Sequence, residues 1–239
     1  MSSLEHSGPQ RQATQSYPLM TRLLLWAGAV GPLLFVAVLL IEGATRPGYD
    51  AWRMAGSALS LSDQGWMQIT NFIVGGLLIL GFAVGVRQIV GLRRMTTWGP
   101  MLLAVAGMGL IIAGIFVTDP AFNYPPGTPD GPTPQMSWHG ALHFFVGGLS
   151  FFIGLSAACF VFARRFAGDP HWRGWVALSV AAGVLMLAFF VAYAVVAALV
   201  PGGGPGGLLE RISIVTGLAW IALFALRLLR QMRALAVGR

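Results

Sequence analysis

Apolar residues run along this chain in long blocks separated by short polar ones. Six blocks stand out, at residues 22–41, 69–90, 99–117, 139–162, 175–200 and 212–229. Each approaches the ~20 residues that a helix needs to cross the hydrocarbon of a bilayer. The pattern predicts an all-α, polytopic membrane protein of six transmembrane helices. Residues 1–20 read as a mobile cytoplasmic tail, 21–232 as the six-helix membrane domain and 233–239 as a second cytoplasmic tail. The N-terminal stretch has no apolar signal-peptide region, so the first span reads as retained.

Composition sharpens this picture. The 239 residues are 56% hydrophobic and only 10% charged, with a mean hydropathy of +0.73. Soluble domains carry roughly 25% charged residues, which argues against a water-soluble enzyme. The net charge is +7, and every one of the 15 basic residues is arginine. The arginines flank apolar blocks instead of forming a patch, so membrane orientation accounts for them and nucleic acid is not expected as a partner. With the N-terminus inside, only Arg46, Arg53 and Arg211 fall outside. Both termini are then cytoplasmic, in a multi-pass protein of the plasma (cell inner) membrane. The absence of lysine fits GC-rich codon use and points to a bacterium. Trp26, Trp66, Trp98, Trp138 and Trp175 lie near block ends, as an aromatic belt would. The single Cys159 sits inside an apolar block and reads as packing.

The loops on the outer side are the informative ones. In the longest, residues 42–68, the stretch 49–61 is predicted to form a short helix on the membrane surface, with Trp52 and Leu59 dipping in. The next, residues 118–137, holds six prolines and reads either as a semi-rigid lid over an outer mouth or as a plain connector. The glycine-rich stretch 201–207 lacks the Lys and Ser/Thr of a phosphate-binding loop and reads as a flexible linker. An internal similarity links Trp66-x-x-x-x-Asn71-Phe72-x-Val74-Gly75-Gly76-Leu77 with Trp138-x-x-x-x-His143-Phe144-x-Val146-Gly147-Gly148-Leu149. It reads as a parallel repeat of a two-helix hairpin about an axis along the membrane normal.

Polar groups inside a bilayer are costly and face the bundle interior or a wet cavity. Here Glu42, Asn71, Asp119, His139, His143, Tyr193, Glu210 and Ser213 collect at one depth. They predict an outward-facing polar cavity. His139 and His143 are spaced i, i+4, which puts both on one face of a regular helix. With Asp119 they make a three-ligand zinc site with an open position, where bound water would become a nucleophile near neutral pH. Two other readings stay open. The imidazoles can be hydrogen-bonded to partners such as Asn71 or Asp119, or His143 can titrate and gate the mouth. Asn71 or Tyr193 would orient a substrate or stabilise an oxyanion. Ser57, Ser60 and Ser62 lack a G-x-S-x-G elbow and read as loop and cap residues.

Arg46-Pro-Gly-Tyr-Asp50, Ser57, Leu59, Gly65-Trp66-x-Gln68-x-x-Asn71-Phe72, Thr118-Asp119-Pro120, Tyr124-Pro-Pro-Gly127 and Leu142-His143 together resemble the bacterial membrane family of unknown function numbered nine-nine-eight. That resemblance implies a six-helix integral membrane protein without an assigned activity. A more distant likeness is to the CREST superfamily of membrane hydrolases, which implies a zinc site built from Asp119, His139 and His143 with Ser57 or Ser60 beside it. The chain departs from that pattern in its number of spans and in carrying the His pair in the fourth. Three functions are compatible with these features. They are a metal-assisted hydrolase of lipid-like substrates, a non-enzymatic protein that binds or senses a lipid or small ligand, and a proton-linked transporter relaying through His143, Glu42 and Asp119.

Overall fold

The computed structural model describes residues 18–92 and 97–237. Arg11, Arg93, Arg94, Arg239 and all but the last three residues of the expected N-terminal tail lie outside the described residues. The all-α, six-span expectation holds. Six helices are long and apolar enough to cross a membrane. They are α1 (Leu19–Thr45), α2 (Gly65–Leu92), α3 (Trp98–Ile115), α4 (Trp138–Phe166), α5 (Arg173–Leu199) and α6 (Gly206–Val237). Each packs on its neighbours in sequence, and α6 returns to pack on α1, closing a ring.

These helices are apolar nearly all round, so amphipathicity cannot choose the buried face. Small residues choose it instead, because bare backbone lets a neighbour come close. A Cβ on Gly28 would fall inside the Phe82 ring, and one on Gly217 would meet the Met186 sulfur. Gly76 faces the Gly107 carbonyl of α3, while Gly109 of α3 faces the Gly147 carbonyl of α4. Larger apolar side chains such as Leu33, Ile41, Leu77 and Val191 are left on the outside.

The two copies of the sequence repeat differ in backbone. The Asn71–Leu77 stretch is regular α-helix, whereas Leu142–Gly148 is a π-helix. In α2 the glycine pair seats both neighbours, Gly75 against Phe35 of α1 and Gly76 against α3. In α4 only Gly147 meets another helix, at Ala113 of α3.

The inside of the ring has two halves. Away from the long loops it is filled by aromatic rings from α2, α4 and α6. Phe224 packs edge-on to Phe82 at 5.9 Å, and Phe162 lies 4.8 Å from Phe224. Trp172 stacks on Phe166 at 4.4 Å, closing that end. Toward the loops the filling stops and a cavity begins. We expect Gly76→Ala, whose new Cβ would stand 2.5 Å from the Gly107 carbonyl oxygen, to lower stability. The loss should be about 1–3 kcal/mol. Gly148→Ala, with nothing nearer than 3.6 Å, should change little. Chemical unfolding in detergent reads both.

Candidate functional site: a capped cavity at the loop end

The segment between α1 and α2 is not a helix on the membrane surface, as its sequence suggested. It folds inward over the ring. Its short 3₁₀ turn, Gly56–Ser60, is buried, and Leu59 is fully enclosed while Trp52 stays exposed. A loop inside an apolar bundle exposes backbone carbonyls that no water can reach, so side chains must satisfy them. Two arginines do this. Arg46 donates to the Leu59 carbonyl (3.4 Å), the Ser62 hydroxyl (3.1 Å) and the Gln64 carbonyl (3.2 Å), with the Glu42 carboxylate 3.4 Å away. Arg211 donates to the carbonyls of Ala51, Met54 and Gly207 at 2.8–3.0 Å and to the Tyr49 hydroxyl. Tyr49 in turn donates to the carbonyls of Met54 and Ala55. The first N–H groups of α6 are taken by the loop as well, Gly207 N–H by the Arg53 carbonyl and Leu208 N–H by that of Trp52. Gly207 is required at this approach, because a Cβ would lie 2.3 Å from the Met54 oxygen.

The proline-rich loop lies across this cap. Tyr124 is buried and meets Tyr49 edge-on at 5.3 Å, and Phe122 packs beside Gly203. Arg53 joins all three loops, donating from Nε to the Gly202 carbonyl and pairing through Nη2 with Asp130 at 3.2 Å.

Beneath the cap lies a narrow cavity of about 70 Å³. Its wall is mainly apolar and rich in phenylalanine, including Phe35, Phe72, Phe144, Phe152 and Phe190. Its polar groups are Ser57, Gln68, Thr118, His143, Tyr193 and Glu210. An adjoining space of about 280 Å³ shares Ser57, Thr118, Phe144 and Tyr193 with it and runs out beneath Pro132, Thr133 and Met136 of the proline-rich loop. That loop therefore roofs a vestibule.

The predicted residues separate within this site. His143 reaches the cavity, and its Nδ1 lies 3.0 Å from the Ala113 carbonyl and 2.8 Å from that of Phe116, in the last turn of α3. Both partners are acceptors, so Nδ1 carries the proton. His139 does not share its face. His143 is buried and turned to the end of α3, whereas His139 is left exposed against Trp138 and Phe116. Asp119 accepts from the Ser137 N–H at 2.8 Å and sits over the start of α4, beside Gly140. A carboxylate is favourable there because the first N–H groups of a helix lack partners. Among the described residues, no group of three or more His, Cys, Asp or Glu side chains is placed to hold a metal ion. Asn71 donates to the Phe35 carbonyl and to Gln68 Oε1. It is a support behind the wall, whereas Tyr193 lines both spaces.

The family model described as "Protein of unknown function (DUF998)" matches residues 29–227. The chain belongs to the DUF998 family. No curated protein matches it, and no solved structure does. The matched span contains the whole of this DUF998 protein's cap and cavity. Gln68 was legible only as part of the Gly65-Trp66-x-Gln68 motif. Ser57 was legible as a loop serine within the family motifs. Arg46 was legible as the first residue of the Arg46-Pro-Gly-Tyr-Asp50 motif, whereas Arg211 had no signal beyond its rarity on the loop side.

Arg211→Met should leave the carbonyls of Ala51 and Met54 without donors and destabilise the protein by on the order of 3 kcal/mol. Trypsin should then cut faster after Arg53. Burial pushes the Tyr49 hydroxyl well above its ordinary pKa of 10.0, against an opposing pull from Arg211. The folded state thus holds this proton more tightly than the unfolded one. Its contribution to stability is complete below pH 10.0 and is lost as pH rises beyond it. Unfolding on either side of that pH should show the loss, and Tyr49→Phe should remove this part of it.

Proposed function

We propose that this DUF998 protein binds a lipid-like or small apolar ligand in the capped cavity and senses it or hands it on without chemistry. The loop end faces outward from the plasma membrane in this reading, and both termini lie in the cytoplasm. The observation that carries it is a mainly apolar, phenylalanine-rich cavity with a few converging polar groups, adjoining a roofed vestibule. Ligand sites have this composition, apolar walls for affinity and sparse polar groups for orientation. Membrane lipids are the partners such a site would meet first.

Metal-assisted hydrolysis has less support, because Asp119 is engaged at the start of α4 and His139 is exposed beside Trp138. A zinc ion at Asp119, His139 and His143 would require both to turn inward. A proton-linked transporter has less support because aromatic packing fills the half of the ring beyond the cavity. Glu42 also sits beside Arg46, apart from His143.

The test uses Ser57, at the boundary of the two spaces. Ser57→Trp should fill the boundary while leaving the cap's arginine bonds in place. Mass spectrometry of protein purified in mild detergent should find a bound lipid-like molecule in the wild type and its loss in Ser57→Trp. Wild-type protein that carries none, and that gains no thermal stability from added lipid, would overturn the proposal.

A further inference from the structure

The polar groups of the cavity narrow the chemistry of its occupant, on the reading above that it holds a lipid-like molecule. Among the described residues no arginine lines it, and the chain has no lysine. Arg46 and Arg211 are turned to loop carbonyls. An anionic head, phosphate or carboxylate, would therefore find no cation. It would meet hydroxyls and acceptors instead. With Nδ1–H committed to two carbonyls, His143 in its neutral form offers the lone pair of Nε2. Glu210 accepts from the Gly56 N–H at 2.6 Å through one oxygen, and its other oxygen has no partner among the described residues.

Donors stand opposite them: the hydroxyls of Ser57, Thr118 and Tyr193 line the same cavity, and one amide donor is fixed in place by its neighbours. The Phe35 carbonyl can only accept, so the Asn71 group facing it is the NH₂. That same NH₂ also faces Gln68, so the Gln68 atom it meets is Oε1. The Gln68 NH₂ is thereby fixed on the other side. It is fully buried, it has no hydrogen-bond partner, and its residue lines the cavity. An unpaired buried donor costs about 1–3 kcal/mol, and a bound acceptor would relieve that cost. A hydroxyl suits this set, because it accepts from one neighbour and donates to another.

The wall shows where an apolar chain would go. The π-helical part of α4 packs on α3, and the packing of α4 against α5 comes from its α-helical part further from the loops. At the loop end the seam between α4 and α5 is bridged by side chains, Phe144 with Phe190 at 6.4 Å and Phe152 stacked on Phe190 at 4.1 Å. The α5 helix is the least buried of the six, with 22% of its apolar window inside.

We propose that the cavity takes an uncharged, hydroxyl-bearing lipid from the bilayer. Its hydroxyl lies among Gln68, His143 and Glu210, and its chain lies in the α4–α5 seam past Phe144 and Phe190. The test uses the full chain in phospholipid nanodiscs and three radiolabelled probes with the same oleoyl chain: monooleoylglycerol, oleic acid and oleoyl lysophosphatidic acid. Monooleoylglycerol should bind at least tenfold more tightly than either anionic probe. Gln68→Met, similar in volume, and Gln68→Glu, which replaces the donor with an acceptor, should each weaken it about tenfold. At least one should melt as the wild type does.

An anionic probe that binds as tightly as monooleoylglycerol would overturn the assignment, as would undiminished binding in a normally melting Gln68 variant. If an anionic probe binds and Ser57→Trp abolishes it, the cavity still holds a lipid and only the hydroxyl assignment falls. If no probe binds and purified wild type carries no lipid, both fall.

Discussion

Backbone that leaves a helix inside a bilayer must find hydrogen-bond partners in the protein, and the loop end of this bundle is organised by that constraint. The segment joining α1 and α2 enters the ring without forming a long helix, so its carbonyls need donors. Arg46 and Arg211 provide them, one from the end of α1 and the other from the start of α6. A guanidinium suits the task because its five donors fan out in a plane and reach several carbonyls at once. The two helices that close the ring are thus the two that hold the cap.

The cavity follows from the cap and from the π turn of α4. The cap roofs the ring at Gly56 and Ser57, above the level where aromatic rings fill it. The π turn brings His143 to the carbonyls at the end of α3, which a terminating helix leaves without intrahelical donors. It also directs Phe144 toward α5. The result is a site with one polar end and one apolar seam, closed below by Phe82, Phe162 and Phe224.

Much of the polar belt was legible along the chain because charges and imidazoles are so rare in it that their common depth is visible. His143, Tyr193 and Glu210 do share one cavity. The belt conceals a division of labour, however. Asn71 braces Gln68, Asp119 attends the start of α4, Glu42 sits beside Arg46, and Ser213 donates to the Met186 carbonyl between α5 and α6. Each lies at the expected depth, yet none of the four lines the cavity proper. Depth in a membrane is set by position along a helix, whereas the direction a side chain faces is set by rotation about it.

Sequence alone determined the number of spans and the end at which polar chemistry gathers, because hydrocarbon excludes charge over a fixed thickness. It also carried the family motifs. Only tertiary structure decided which face of each span points inward, since helices apolar on every side hold no rotational signal. It decided that residues 46–64 fold into the ring instead of lying on its surface, because the donors that satisfy them come from Arg46 and from Arg211, far away in the chain. It also decided that His139 and His143 part company, because the Ala113 and Phe116 carbonyls of α3 take up His143 while His139 stays exposed beside Trp138.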